Sequence, residues 1–312
     1  MVNGEFDFYD RSTLKSYNLT SSMRYQLSML DKLDVFTRKH SENVASIVCR
    51  LCEYLHLNKS FTAYCTICAY LHDIGKIFIP PAILQKPARL TDEEYEVMKT
   101  HTILGYKMCM DDLELRPYAL GPKYHHECLD GTGYPEGLKG NQIPLEDQII
   151  KVADEYDAIV SKRQYKTHIK ISETLKILIK EAQPSTKEVA LDNAANGAKV
   201  GRLNKKVVKT LFKVVIEDTE YEISCLMGYI KFLKDEIKRL ETIQDYENKM
   251  YNSKTEKKKK YYEEGMKLLF SEGENFDNYP DVLSEYKEAL ENRNGIIDSL
   301  FDEIKIIKKL KV

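Results

Sequence analysis

Tryptophan is absent from the 312 residues, and no apolar run comes near the length needed to cross a membrane. Neither sign of charge prevails: 47 basic residues face 49 acidic ones, for a net charge of -2. The chain therefore lacks the global basic field that recruits a nucleic-acid polymer. The opening residues, MVNGEFDFYD, carry acid where a secretory signal is basic and then apolar. Alternating strand patterns are scarce throughout. The seven cysteines are odd in number and sit mainly in apolar helical patterns, which points to free thiols in a reducing cytoplasm. What the chain does have is 43% hydrophobic and 10% aromatic residues, enough for a packed core in one large domain or two smaller ones.

Apolar spacing predicts an almost wholly helical chain. Residues 1 to about 22 are polar and irregular and read as an arm. A helix is expected from about 23 to 57, with Val44, Ile47, Val48, Leu51 and Leu55 on one stripe and His40 facing the same way. A second, from about 60 to 74, carries Phe61, Cys65, Cys68 and His72, with Gly75 placed to end it. Thr91 to Glu94 form a capping box that opens a helix on which Met98, His101, Gly105 and Met108 share a face. Glycines and Pro135 make 130 to 144 a turn-rich loop. Helices follow at about 145–162 and 171–182, then a loose stretch at 184–201, then apolar spacing from Val207 to Val215. From about 221 the pattern changes. Ile223, Leu226, Ile230, Leu233, Ile237 and Leu240 step by three and four like a coiled-coil seam. Lys257 to Lys260 read as a solvated charge run, and a Gly/Asn/Pro-rich break at 272–280 precedes two more helices, near 282–293 and 295–311.

The inward or clustered donors are His40, His72, Asp73, His101, His125, His126 and Asp154, which include five of the seven histidines. An unpaired imidazole on an apolar stripe is costly to bury, so several of them together call for a shared partner. Seven donors exceed the needs of one ion. If Asp73 bridges, two ions can share the set, and mixed nitrogen and oxygen donors suit Fe or Mn, with Zn or Ni as alternatives. Two such ions, about 3.5–4 Å apart, can hold a bridging hydroxide and clamp a phosphate for in-line attack. Cys49-x-x-Cys52 and Cys65-x-x-Cys68 imitate a zinc site, but both pairs lie in helical patterns without knuckle turns and read as core.

The segments HDIGK (72–76), HHECLDGTGYP (125–135) and VADEYDAI (152–159) resemble the HD-GYP family, a branch of the HD phosphohydrolases. The likeness extends through DVFTRKHSENV (34–44), LTDEEYEVMKTHTILGY (90–106) and SKRQYK (161–166), and covers about 23 to 220. It implies an all-α, HD-type helical bundle with the metals at its centre and a turn-rich GYP loop. It implies hydrolysis of the second messenger cyclic di-GMP to pGpG or GMP by attack of a metal-bridging hydroxide. Carried across, it makes His40, His72, Asp73 and Asp154 one metal site. His101, His125 and His126, with Asp73 bridging, form the other. Lys76 would neutralise the scissile phosphate, and Arg163 and Lys166 would bind substrate. Gly133, Tyr134 and Pro135 would form the naming loop and contact substrate, and a protein partner could also dock there. Glu127 and Asp130 are expected to support the ligands, and Asp157 competes with Asp154 for the carboxylate role. Phe36 stands where some members have a third-metal glutamate, which leaves two divalent ions, Fe or Mn. Gln164 and Leu203-Asn204-Lys205 also depart from the family's usual Pro and Phe-Asp-Pro.

The expected organisation is an arm at 1–22, a phosphohydrolase domain at 23–220 and a helical interaction region at 221–312, with its seam as a dimer contact. Two rivals stand beside the enzyme. One is a weakly catalytic module that binds cyclic di-GMP or a partner, and the other is a hydrolase of other nucleotides.

Overall fold

The computed structural model describes residues 35–161, 170–184 and 200–311. Its helices are α1 (Val35–Tyr54), α2 (Lys59–Leu71), α3 (Pro81–Leu84), α4 (Asp92–Lys99), α5 (His101–Asp111), α6 (Leu120–Tyr124), α7 (Leu145–Ser161), α8 (Ile171–Glu181), α9 (Lys205–Tyr251), α10 (Glu256–Leu269) and α11 (Tyr279–Ile307). Short 3-10 turns cover Ile74–Phe78, Arg116–Tyr118 and Gly140–Gln142. Among the described residues there is no strand, only an isolated bridge between Asp130 and Lys139. The described residues form an all-α fold. The expected arm at 1–22 lies outside the described residues, as do Arg163, Lys166 and most of the 184–201 stretch.

The described residues cluster into two compact units. One holds those up to Ile216 together with those from Ile307 onward; the other holds Glu217–Ile306. The core of the first is built from α1, α2, α7, α8 and the start of α9, where Val44, Val48, Leu51, Ile149, Ile150, Leu175, Leu178, Val208 and Leu211 are all buried. Ile307 is buried in the same core and Leu310 packs against it, so the last residues belong here rather than with the 221–312 region. Cys52, Cys65 and Cys68 lie in this core, and all seven cysteines are free thiols.

Local chemistry sets the element boundaries. Asn58 caps α2 by accepting from the Phe61 N–H, and the expected capping box of Thr91 and Glu94 opens α4. At the end of α1, His56 takes a left-handed φ of 57°, and the Leu57 N–H returns to the Cys52 carbonyl, which closes the helix as a Schellman turn. Asn204 caps α9, its Oδ1 accepting from the Lys206 and Val207 amides. The single helix expected beyond Thr91 is two. Thr100 Oγ1 donates to the Val97 carbonyl and the His101 ring to that of Met98, so side chains take carbonyls that helical amides would need.

In the second unit the sequence underestimates regularity. The charge run at Lys257–Lys260 forms the first turns of α10, and α11 continues through Gly295 without a break. The end of the expected seam is covered by its own chain: Ile237 and Leu240 pack with Ile243, Met266, Tyr279 and Leu283, so these two positions are not open to a second copy. Arg239 pins the α10–α11 turn, donating to the Leu269 carbonyl at 2.7 Å and to both oxygens of Glu274.

Gly75 does not act as a left-handed helix cap. It lets the 3-10 turn after α2 touch α5: a Cβ there would lie 1.9 Å from the His101 carbonyl oxygen and 2.5 Å from the Gly105 nitrogen. Gly75→Ala should therefore destabilise the protein by about 1–3 kcal/mol, the usual cost of overpacking. Gly228, inside α9 with open space around its Cα, should behave oppositely, Gly228→Ala gaining about 0.5–1 kcal/mol. Thermal denaturation of the two variants checks this. A neutral Gly75→Ala would contradict the packing described here.

Candidate metal centre

Five elements of the first unit converge on one point: α1 with His40, the end of α2 with His72 and Asp73, the start of α5 with His101, the end of α6 with His125 and His126, and α7 with Asp154. Three of these histidines sit at helix termini, where backbone carbonyls lack an amide partner. His72 Nδ1 donates to the Ala69 carbonyl at 2.6 Å, and His101 Nδ1 to that of Met98 at 2.7 Å. His125 Nδ1 lies 3.0 Å from the Pro122 carbonyl. Each carbonyl can only accept, so each ring must carry its proton on Nδ1. The Nε2 lone pairs are left to face the centre.

Asp73 stands between two groups of donors. Its Oδ1 lies 3.5 Å from His101 Nε2 and 3.9 Å from His125 Nε2. Its Oδ2 lies 3.3 Å from His72 Nε2 and 3.8 Å from His40 Nε2. Ligand atoms of Asp73, His101, His125 and His126 all fall within 4.8 Å of one another, as do those of His40, His72 and Asp73. Asp154 Oδ1 joins the second group, 3.0 Å from His40 Nε2 and 4.0 Å from His72 Nε2. All seven donors singled out in the sequence thus come together, in two sets that share one carboxylate. The set fits metal ions. His72 Nε2 is buried with no hydrogen-bond partner, a cost that a bound cation removes.

The electrostatics separate the two sets. Burial lowers the pKa of His101 to about 4 and holds His125 and His126 well below the ordinary histidine value, with neighbouring imidazoles adding to the effect. These rings are neutral at pH 7 and ready to ligate. Burial also works against a charged His40, but hydrogen bonds to Asp154 and Asp157 and the charge of Asp73 outweigh it and raise its pKa to about 10. Asp73 ionises well below the usual carboxylate range: burial opposes this, and Lys76, His72 and His101 overcome it. Asp154 does likewise, with His40 overcoming its burial.

Lys76 Nζ is 2.6 Å from Asp73 Oδ2 and lines the cavity above the centre. Gly133 and Tyr134 line the same cavity, and the Tyr134 ring stacks on His126 at 4.7 Å between centroids. The Tyr134–Pro135 peptide is cis. Glu127 and Asp130 do not touch the histidines as the sequence suggested. Glu127 accepts from the amides of Glu136, Gly137 and Leu138 and so shapes the loop, while Asp130 accepts from the Thr132 amide and hydroxyl. Gly133 is needed because a Cβ there would meet the Cys128 nitrogen at 2.3 Å.

Asp157, weighed above only as a rival to Asp154, has its own part. Its Oδ2 is 2.6 Å from His40 Nδ1, and its Oδ1 accepts from Asn43 Nδ2 at 3.1 Å. A carboxylate behind a histidine orients the ring and raises its basicity. The signal was present in the sequence: Asp157 lies one helical turn after Asp154, on the same face.

Two outcomes are expected. Asp157→Asn should weaken metal binding at the His40 set by about 10–100-fold while the fold persists, as measured by metal titration with circular dichroism. An unchanged affinity would remove Asp157 from this role. Metal loading at pH 7 should also release a proton from His40 and none from the His101, His125 and His126 set. Calorimetry in buffers of different ionisation enthalpy reads this number. The metal-free protein should gain stability from the His40 contacts in full below about pH 6.5, the unfolded value, and lose it as pH rises toward about 10. A metal-free stability that does not fall over that window would contradict the ion pairs drawn here.

The sequence pattern of the HD domain family matches residues 5–186. A cyclic di-GMP phosphodiesterase of Thermotoga maritima is 42% identical over 45% of this chain and 39% of its own length. The cyclic di-GMP phosphodiesterase response regulator RpfG of Xanthomonas campestris pv. campestris is 41% identical over 40% of this chain and 34% of its own. A 3'3'-cGAMP-specific phosphodiesterase of Vibrio cholerae is 33% identical over 48% of this chain and 33% of its own. The chain thus spans roughly a third to two fifths of the length of these relatives. With a matched segment of this extent and the His-Asp cluster assembled at its centre, the chain belongs to the HD domain family and carries the motifs of its HD-GYP branch.

Proposed function

We propose that the chain is a metal-dependent phosphodiesterase that hydrolyses a cyclic dinucleotide, with cyclic di-GMP as the first candidate, to pGpG or GMP. The observation that carries this reading is the shared carboxylate: Asp73 turns one oxygen to each of two donor sets, at the foot of a cavity that also holds Lys76. A cavity of about 1180 Å³ exceeds the common small-ligand range of about 300–1,000 Å³ and suits a molecule larger than a mononucleotide. The names of the three relatives, two acting on cyclic di-GMP and one on 3'3'-cGAMP, support a substrate of this class.

In this reading His40, His72, Asp73 and Asp154 hold one divalent cation, and Asp73, His101, His125 and His126 hold the other. Iron or manganese suits such mixed nitrogen and oxygen donors. When bound, the cations supply Lewis acidity toward the phosphoryl oxygens and the activation of water. The chain's own groups do the rest. Lys76 places an ammonium beside the centre, where negative charge grows on the phosphoryl oxygens as the reaction proceeds. Asp157 keeps His40 in place. Tyr134 lies against His126 in the cavity wall, which favours contact with substrate over a role in docking a protein partner. Arg163 and Lys166 remain proposed substrate contacts on the strength of the motif they belong to.

Asp73→Ala and His72→Ala should each lower turnover of cyclic di-GMP by at least about 10²–10³-fold. Product analysis by chromatography, with anaerobic iron and with manganese, against cyclic di-GMP and 3'3'-cGAMP is the measurement. Turnover by Asp73→Ala close to that of the unmodified protein would remove the bridging carboxylate from the reaction. A reconstituted protein that hydrolyses none of the cyclic dinucleotides would overturn the substrate assignment.

A further inference from the structure

One wall of the cavity carries charges that the phosphodiesterase chemistry does not use. Lys151 and Glu155 lie one turn apart on α7, on either side of the position of Asp154, and Lys151 Nζ is 3.0 Å from Glu155 Oε1. Lys151 is almost fully buried and Glu155 is partly open to the cavity. Arg202 stands beside the pair. Its backbone is fixed at both ends, the N–H donating to the Glu181 carbonyl at 2.8 Å and the carbonyl accepting from the Leu129 N–H at 2.9 Å. Its side chain reaches Glu181 at 2.8 Å and Cys128 Sγ at 3.5 Å, and it too lines the cavity.

This wall is unsuited to a second phosphate, because Glu155 would repel it. A buried ion pair also adds little net stability, since desolvation offsets the attraction. What the pair offers is an ordered edge: a cationic donor, then carboxylate acceptors. That is the order of donor and acceptors on the pairing edge of cytosine, and its complement is guanine, with O6 to accept and N1–H and N2–H to donate. Arg202, next to the pair, suits the adjoining O6 and N7 acceptors. Adenine reverses the order. Its N6 amine would face Lys151 and its N1 lone pair would face Glu155, leaving buried polar groups unpaired.

We propose that Glu155, held in place by Lys151, reads the N1–H and N2–H edge of a guanine base in the substrate, so that the site requires at least one guanine. This rests on the cyclic dinucleotide reading given above and narrows it: cyclic di-GMP and cyclic GMP-AMP qualify, and cyclic di-AMP does not.

The test compares kcat/KM for cyclic di-GMP, cyclic di-AMP and cyclic di-IMP, the last lacking only the exocyclic N2 amine, in the unmodified protein and in Glu155→Gln. Removing the amine should cost the unmodified protein about tenfold or more, and Glu155→Gln should respond by less than about threefold. The preference for cyclic di-GMP over cyclic di-AMP should narrow in parallel. A change in fold alone would lower all three rates together and leave their ratios standing, so unchanged ratios in the variant overturn the assignment. Should the variant turn over nothing, the unmodified protein decides the matter: equal rates on cyclic di-GMP and cyclic di-IMP overturn it. Failure of the unmodified protein on all three compounds would instead bring down the cyclic dinucleotide reading, and this inference with it.

Discussion

The structure depends on one carboxylate being shared. Asp73 is buried, ionised and turned edgewise between two groups of imidazoles, one on each oxygen. A buried carboxylate is expensive unless charge and hydrogen bonds compensate it. Lys76 provides some of that compensation in the protein itself, and imidazole Nε2 atoms stand around both oxygens, where bound cations would provide the remainder. The same need explains the close approach at Gly75. The turn bearing Asp73 must touch the helix bearing His101, and no side chain fits between them.

Helix termini do much of the positioning. His72 follows the last residue of α2, His101 opens α5 just after α4 ends, and His125 follows α6. In each case a carbonyl near a helix end accepts the Nδ1 proton. One contact satisfies the backbone, fixes the tautomer and aims the ring. His40 lies in mid-helix, where the neighbouring carbonyls are engaged, and it takes Asp157 instead. That difference accounts for the electrostatic asymmetry between the sets, with three neutral rings on one side and a protonated ring held by carboxylates on the other.

The donor set was readable in the sequence because unusual residues interrupt strong patterns. His40, His72 and His101 each sit on a stripe that is otherwise apolar, and HDIGK and HHECLDGTGYP are long and distinctive. The all-helical fold followed from the same periodicity. Less was legible where the deciding force acts at long range. Glu127 looked like a support for its neighbours in sequence, but it binds amides about ten residues away in the loop. The break at Thr100 depends on side chains competing for two carbonyls, which periodicity does not register. The Ile223–Leu240 seam showed an apolar face without saying what covers it, and for Ile237 and Leu240 the answer lies in α10 and α11. Lys151 and Glu155 belong to no pattern the sequence displays, and only the structure places them with Arg202 on the cavity wall.

The central claim is that Asp73 joins two cation sites. The most direct measurement is a crystal structure of the iron- or manganese-loaded protein, with anomalous scattering recorded at the metal edge. Two anomalous peaks are expected, one on each side of the Asp73 carboxylate, the first among His40, His72 and Asp154 and the second among His101, His125 and His126. A single peak, or two peaks with Asp73 bound to neither, would contradict the account.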